Sequence, residues 1–383
     1  MNQRIMQAFV LLLLLALLLP LSAVAAQDEI YTIMDAQGTV VTQYCGECEQ
    51  GDEYIGGDNR HYRVTKVNAD EKIAIAEFLG VADMPDVSWL TMQQSLPVSA
   101  VGTKKIALYC THSDESYENG DGATSTEPRG GIYDIKKRLA DGFTALGVTV
   151  EQSDETHHPH DAGAYRRSRQ TAVTLLKTQP SAIFDIHRDG IPNPEEYAVT
   201  IGNEKMSKVR LLVGKGNQNK EANLSFAKQI KAVADKIYPK LIKDIYMGKG
   251  SYNQDLAPRS VLLEFGTHTL SKERVLKATK PLSEVIYKAL YGGVTGSAGA
   301  SDVSGGAPTA QNPSASAPPA DQGASADNTG STAIIWLIVA LVIGLGVFAF
   351  LSAGRRGGGS KWGRSFSEMT GGLFGKKPPK DGE

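Results

Sequence analysis

Two rhythms of apolar and polar residues divide the chain. Between about residues 29 and 69 they alternate singly, in Ile30-Tyr31-Thr32-Ile33, Val40-Val41-Thr42 and Tyr62-Arg63-Val64, with turns at Gln37-Gly38 and Gly56-Gly57-Asp58-Asn59 between them. A period of two broken by turn residues predicts a small antiparallel sheet. Residues 70–96 then read as a connector. From about residue 104 the rhythm changes. Short apolar runs over 105–109, 148–150, 182–187, 209–213 and 260–265 read as strands, and longer periodic stretches over 132–146, 165–177, 223–237 and 271–290 read as helices. The first of these helices carries Ile132, Ile135, Leu139, Phe143 and Leu146 on one stripe. Alternation of this kind predicts an α/β fold, a mostly parallel or mixed sheet with helices on both faces. Roughly 190 residues are enough for one core.

The ends of the chain add an expected topology. Arg4 precedes an apolar run over 9–21, followed by Ala23-Val24-Ala25, so residues 1–26 read as a secretory signal peptide. Residues 333–353 are apolar and uncharged, and about twenty such residues span a bilayer. Arg355, Arg356, Lys361 and Arg364 follow, which places the tail, 354–383, in the cytoplasm. The expectation is a single-pass protein of the cell membrane with its catalytic part outside the cytoplasm. A Gly-, Ser-, Ala- and Pro-rich stretch over 292–332 reads as a flexible tether. That leaves 27–103 as a β module with its connector, and 104–291 as the catalytic domain. The excess of positive charge in the tail suits anionic lipid headgroups.

Charge and cysteine usage exclude more than they suggest. The formal net charge is −2, without a basic stripe interleaved with aromatics, so nucleic acid is not an expected partner. Cys45 and Cys48 form a Cys-x-x-Cys, but Gly51 and Asp52 follow where a redox motif would begin a helix. A small structural disulfide, or no bond, is the better reading. No second Cys-x-x-Cys completes a zinc ribbon, and Cys110 reads as a small core residue.

The chemistry gathers at strand ends. His112 follows the 105–109 strand, His187 closes the 182–187 strand and Glu264 lies near the end of the 260–265 strand. In a mostly parallel sheet the carboxyl ends of strands share one edge, so residues distant in the chain meet there. Two histidines with nearby carboxylates suit a catalytic zinc, which needs three protein ligands, an open position for water and a separate base. Glu115 and Glu127 both remain open as the acidic ligand. Glu264, inside an apolar strand, demands compensation by a metal, a proton or a buried arginine, because an unpaired buried ion costs several kcal/mol. His157-His158-Pro159-His160 looks metal-binding by composition, but histidines packed around a proline chelate weakly at best.

These residues also carry a resemblance. His112-Ser113-Asp114-Glu115-Ser116-Tyr117, His160-Asp161-Ala162-Gly163-Ala164-Tyr165-Arg166-Arg167-Ser168-Arg169, Asp185-Ile186-His187-Arg188-Asp189, Tyr252-Asn253-Gln254-Asp255-Leu256 and Leu263-Glu264-Phe265-Gly266 occur in this order. Together they closely resemble the stage II sporulation protein P family of endospore formers, over about residues 104–290. The resemblance implies a fold similar to zinc N-acetylmuramoyl-L-alanine amidases. It also implies a zinc-dependent peptidoglycan hydrolase that cuts stem-peptide amide bonds and, as endopeptidase, cross-links, in septal wall remodelling during engulfment. A sporulation lytic transglycosylase and a membrane partner are the implied companions. Carried over by position, His112, Glu115 and His187 would hold Zn2+ and Glu264 would be the catalytic glutamate.

Other residues receive roles from their chemistry. Arg188 is a candidate for the oxyanion or a substrate carboxylate, against a salt bridge to Asp189. Tyr252 and Asn253 are candidate substrate contacts, and Asp185 or Asp189 a candidate to orient His187. The alternative is a catalytically silent wall-binding or scaffold protein on the same fold. That reading expects a missing ligand or base, whereas His112, His187 and Glu264 are all present. A serine hydrolase lacks its Gly-x-Ser-x-Gly elbow here.

Overall fold

The computed structural model describes residues 29–91, 104–161 and 163–292. The expected signal peptide, the tether beyond 292, the predicted span and the tail lie outside the described residues. Among those described, no helix is long and apolar enough to cross a membrane.

Thirteen strands are described: β1 Ile30–Asp35, β2 Val40–Cys45, β3 Glu53–Ile55, β4 Arg60–Asn68, β5 Ile73–Val81, β6 Lys105–Tyr109, β7 Thr149–Gln152, β8 Ile183–Asp189, β9 Ala198–Ile201, β10 Glu204–Ser207, β11 Val209–Gly214, β12 Ile242–Gly248 and β13 Ser260–Thr267. The four long helices are α1 Ile132–Ala145, α2 Ala164–Leu176, α3 Lys220–Ile237 and α4 Lys272–Tyr291. Eleven strands form one mixed sheet in the order β2-β1-β5-β4-β3-β12-β11-β13-β8-β6-β7, while β9 and β10 form a separate hairpin. The α/β class and the helices follow the sequence pattern closely.

The short strand β3 and the β9–β10 hairpin are not marked by that pattern, and further departures have physical reasons. Residues 73–81, expected within a connector, form β5. Its small residues Ala74 and Ala76 are buried while Ile73 and Ile75 are only partly covered, so no contrast in polarity marks its two faces. β12 was not expected because Lys243 and Asp244 interrupt it, yet both are buried and paired. The N-terminal strands are antiparallel except that β1 and β5 pair in parallel, and β3 joins them to β12 through Ile55 opposite Ile245.

The strands beyond residue 104 have two unlike faces. Phe184, Ile186, Leu211, Ile245, Leu263 and Phe265 face a core closed by α1, α3 and α4. Residues of the other parity carry charge. Asp244 stands opposite Arg210, Arg210 opposite Glu264, and Glu264 opposite His187, a row across β12, β11, β13 and β8. Direct partners in a sheet project from the same face, so this row is a continuous polar strip. Beside it lie Leu212, Tyr246 and Leu262, covered by Tyr31, Ile33, Tyr44, Tyr54 and Tyr62 of the N-terminal strands. The sheet must curl for this, because β2 is five places from β12 in the strand order yet Tyr44 stacks on Tyr246 at 3.9 Å.

Arg210 sits under that lid. It is 1% exposed, donates to both oxygens of Asp244 (2.8 and 3.0 Å) and to Asp189 (2.9 Å), and reaches Thr42 and the Gln43 carbonyl of β2. Burial alone would raise the Asp244 pKa, but Arg210 and Lys243 hold it below the usual carboxylate range. Replacing Arg210 by Met leaves two buried carboxylates without their guanidinium, and denaturant unfolding is expected to show a loss of about 3–5 kcal/mol at neutral pH. Asp244 stabilises the wild type above its unfolded pKa, and that contribution fades as pH falls through its lower folded value. The gap between Arg210→Met and wild type is therefore expected to narrow below about pH 4, as the orphaned carboxylate takes up a proton.

Candidate metal centre

Three adjacent parallel strands, β13, β8 and β6, aim their carboxyl ends at one place. His187 stands in β8 with Glu264 beside it in β13, and the chain leaving β6 carries Thr111, His112 and Glu115 over the same edge. The ligand atoms of His112, Glu115 and His187 all lie within 4.8 Å of one another. Nδ1 of His112 and Nδ1 of His187 are each 3.3 Å from Glu115 Oε1. For metal bonds of 2.0–2.1 Å, the edge of a tetrahedron is about 3.3 Å. The spacing fits a small divalent ion with N and O ligands. Glu127, the other carboxylate open in the sequence, is exposed on the far arm of the loop.

The loop that carries Glu115 is held from several sides. Tyr117, fully buried, donates to the Phe265 carbonyl, and the Ile132 amide at the start of α1 donates to the Glu115 carbonyl. Gly130 presses against the backbone of Asp114 and Glu115, where a Cβ would come within 2.2 Å of the Glu115 carbonyl oxygen. The Arg188 amide donates to Glu115 Oε2 at 2.9 Å. The Arg188 guanidinium donates to the carbonyls of Thr124 (3.1 Å) and Asp189 (3.5 Å), so the structure directs it at the loop. Behind the site, Asp185 accepts from the amide and hydroxyl of Thr111 and lies 3.1 Å from His187 Nε2. Asp185 is thus the carboxylate that orients His187, whereas Asp189 turns to Arg210 and Tyr197.

Electrostatics divide the protons unequally. Burial pushes His112 down to about 4, with His160 and His187 adding to the effect and Glu115 opposing it. Burial also opposes a proton on His187, but Asp185 and Glu115 on either side outweigh it and raise that imidazole well above its ordinary range. Glu115 stays well below the usual carboxylate range despite burial, because His187, His112 and Arg188 surround it. Glu264 is pushed up to about 8, first by burial, then by Asp189, with Glu115 adding and His187 and Arg210 partly offsetting. Its Oε2 is buried and has no hydrogen-bond partner among the described residues. Although Arg210 is its cross-strand neighbour, that guanidinium is committed to Asp244 and Asp189, which rules it out as the salt-bridge partner of Glu264. An orphaned carboxylate beside three converging ligand atoms is what a metal hydrolase base requires.

The remaining candidates fall around this centre. His160 stacks on His112, ring centroids 3.9 Å apart, with Nδ1 3.0 Å from Asp114. His157 is buried and bonds the Cys110 carbonyl and Thr171, while His158 meets the Pro128 carbonyl. Cys110 packs in the apolar core. Asn253 uses its amide on the Tyr165 carbonyl (2.9 Å) and Ser168 (3.0 Å), so it fastens the first turn of α2. Tyr252 touches Tyr44 hydroxyl to hydroxyl at 3.4 Å and meets Tyr165 edge-on at 5.4 Å. Tyr165 was quoted in the sequence only as part of a motif. Its ring stacks on His187 and lies edge-on to His112, which its helical spacing to Ser168, Ala172 and Leu176 disguised as ordinary core.

Comparison with known proteins bears on the whole assembly. The stage II sporulation protein P of Bacillus subtilis (strain 168) is 27% identical over 214 residues, covering 50% of this chain and 53% of that protein. The chain therefore spans about half the length of this curated relative. Solved structures with a similar course include the CwlD amidase of Clostridioides difficile in complex with the GerS lipoprotein, at TM-score 0.35 and 15% identity over 49% of this chain and 96% of that one. The Ami1 amidase of Mycobacterium smegmatis gives 0.33 and 17% over 50% and 99%, and AmiC2 of Nostoc punctiforme 0.32 and 13% over 49% and 96%. The model of the stage II sporulation protein P family matches residues 49–287, so the match takes in β3, β4 and β5 as well as the strands and helices beyond residue 104. With more than half of its length matched, and His112, Glu115, His187 and Glu264 all inside the match, this chain belongs to the stage II sporulation protein P family.

Proposed function

We propose that this protein is a zinc-dependent peptidoglycan hydrolase of the N-acetylmuramoyl-L-alanine amidase type, acting on the cell wall during sporulation. The observation that carries the reading is the convergence of His112 Nδ1, His187 Nδ1 and Glu115 beside the unpartnered Glu264. Membership of a sporulation family supplies the setting. The reading includes an extracytoplasmic catalytic unit tethered through the apolar segment 333–353.

The chain's own residues divide the work. His112, Glu115 and His187 would hold a zinc ion, which when bound would supply Lewis acidity to the scissile carbonyl and to water. Asp185 keeps the His187 ring in one orientation, and the Arg188 amide keeps Glu115 turned inward. Glu264 takes the proton of the attacking water and passes it to the leaving amine, the role of a general base that then acts as acid. Burial readies it for both steps, because its proton affinity lies near neutrality rather than at that of an ordinary carboxylate.

Four outcomes test this reading. With the full chain in detergent, digestion of purified peptidoglycan is expected to release free stem peptides, to stop with chelator and to resume with zinc; mass spectrometry of the products also reports any cross-link cleavage. Activity indifferent to chelation would sink the zinc mechanism. Metal analysis is expected to find one zinc per chain, lost in His112→Ala and Glu115→Gln and kept in Glu127→Gln. Glu264→Gln is expected to keep its zinc and lose about 10²–10⁴ in kcat. Because His187 must give up its raised proton to ligate, zinc affinity is expected to climb as pH rises, by up to about tenfold per unit for one proton displaced. Competition against a chromophoric chelator at several pH values reads that slope, and a flat profile would count against His187 as a ligand.

A further inference from the structure

The reaction proposed above needs a donor for the carbonyl oxygen as it gains negative charge, and the sequence's candidate is occupied elsewhere. Both terminal nitrogens of Arg188 bond carbonyls of Thr124 and Asp189. His160 lies flat on His112 with Nδ1 on Asp114. Tyr165 remains. Its backbone is pinned, since its carbonyl accepts from Asn253 Nδ2 and from Ser168 Oγ, and Asn253 is fixed in turn by its left-handed backbone (φ 57°). Its ring is set between His187, stacked at 6.3 Å, His112, edge-on at 5.4 Å, and Tyr252, also edge-on at 5.4 Å. Yet its hydroxyl makes no hydrogen bond with any described residue.

We infer that Tyr165 is a further catalytic residue, whose hydroxyl donates a hydrogen bond to the oxygen of the scissile amide as negative charge develops there. The inference rests on the hydrolase reading above. Tyr165 is only half-buried, so its hydroxyl is open to a ligand, and a ring held against both histidines with an unused donor suits electrostatic preorganisation. A phenol ordinarily ionises only near about pH 10, so the group is a donor at neutral pH. No proton changes hands at Tyr165. The bond to the carbonyl oxygen strengthens as the water adds and relaxes as the amine leaves.

Tyr165→Phe in the full chain keeps the ring and its packing and removes only the hydroxyl. Kinetics on a soluble muramoyl–L-alanine peptide are expected to show kcat lower by about 10²–10³ with KM little changed. Calorimetric affinity for a phosphinate analogue, with a tetrahedral P–O group at the scissile carbonyl, is expected to fall in parallel. Zinc content and melting temperature are expected to equal the wild type. Full kcat and full phosphinate affinity in Tyr165→Phe would overturn the inference, as would loss of zinc or of folding, which would make the hydroxyl structural. A wild type that neither binds zinc nor cleaves the substrate would instead overturn the hydrolase reading, and this inference with it.

Discussion

A single buried guanidinium holds together the parts on which the site depends. Arg210 joins Asp244 of β12, Asp189 at the end of β8 and Thr42 with Gln43 of β2. It thereby locks the N-terminal strands over the polar face formed by β12, β11, β13 and β8. The individual aromatic contacts at that seam, such as Tyr44 on Tyr246, are each worth about 0.5–1.5 kcal/mol beyond area burial. Breaking a buried charge triad is the larger effect. Arg210 also stands directly opposite Glu264 in the sheet, but its hydrogen bonds go to two other acids, and Glu264 keeps a buried, unpartnered oxygen.

A second network ties helix α2 to the strand ends. Asp185 holds Thr111, Thr111 meets Ser168, Ser168 meets Asn253, and Asn253 accepts from Arg169, which pairs with both oxygens of Asp255. These bonds join the segment after β6, β8, α2 and the 251–256 loop into one hydrogen-bonded network. The N-terminal strands join it through Tyr44, Tyr252 and Tyr165, a file of rings that ends on His187 and His112. That continuity gives a physical reason for the family match to begin at residue 49, well before the strands that bear the ligands. The early strands supply one wall of the polar face rather than an independent appendage.

Much of this was legible in the order of residues. The strand and helix periods beyond residue 104, the strand-end positions of His112, His187 and Glu264, and the motifs that carry the family resemblance need only local sequence, because periodicity reports which face of an element is buried. Strand β12 escaped notice because the pattern treats Lys243 and Asp244 as exposed, and only their pairing with Arg210 and Glu196 makes them compatible with the interior. Strand β5 escaped because its buried and uncovered positions are both apolar.

What the sequence determined by itself was therefore the set of elements and the chemistry each one carries. Tertiary structure decided which groups meet. It selected Glu115 over Glu127, Asp185 over Asp189 as the partner of His187, turned Arg188 and Asn253 into supports, and brought Tyr165 to the two histidines. These choices depend on strand order and register, which bring residues dozens of positions apart into contact. A one-residue shift in the register of β8 would send Asp185 and His187 to the opposite face.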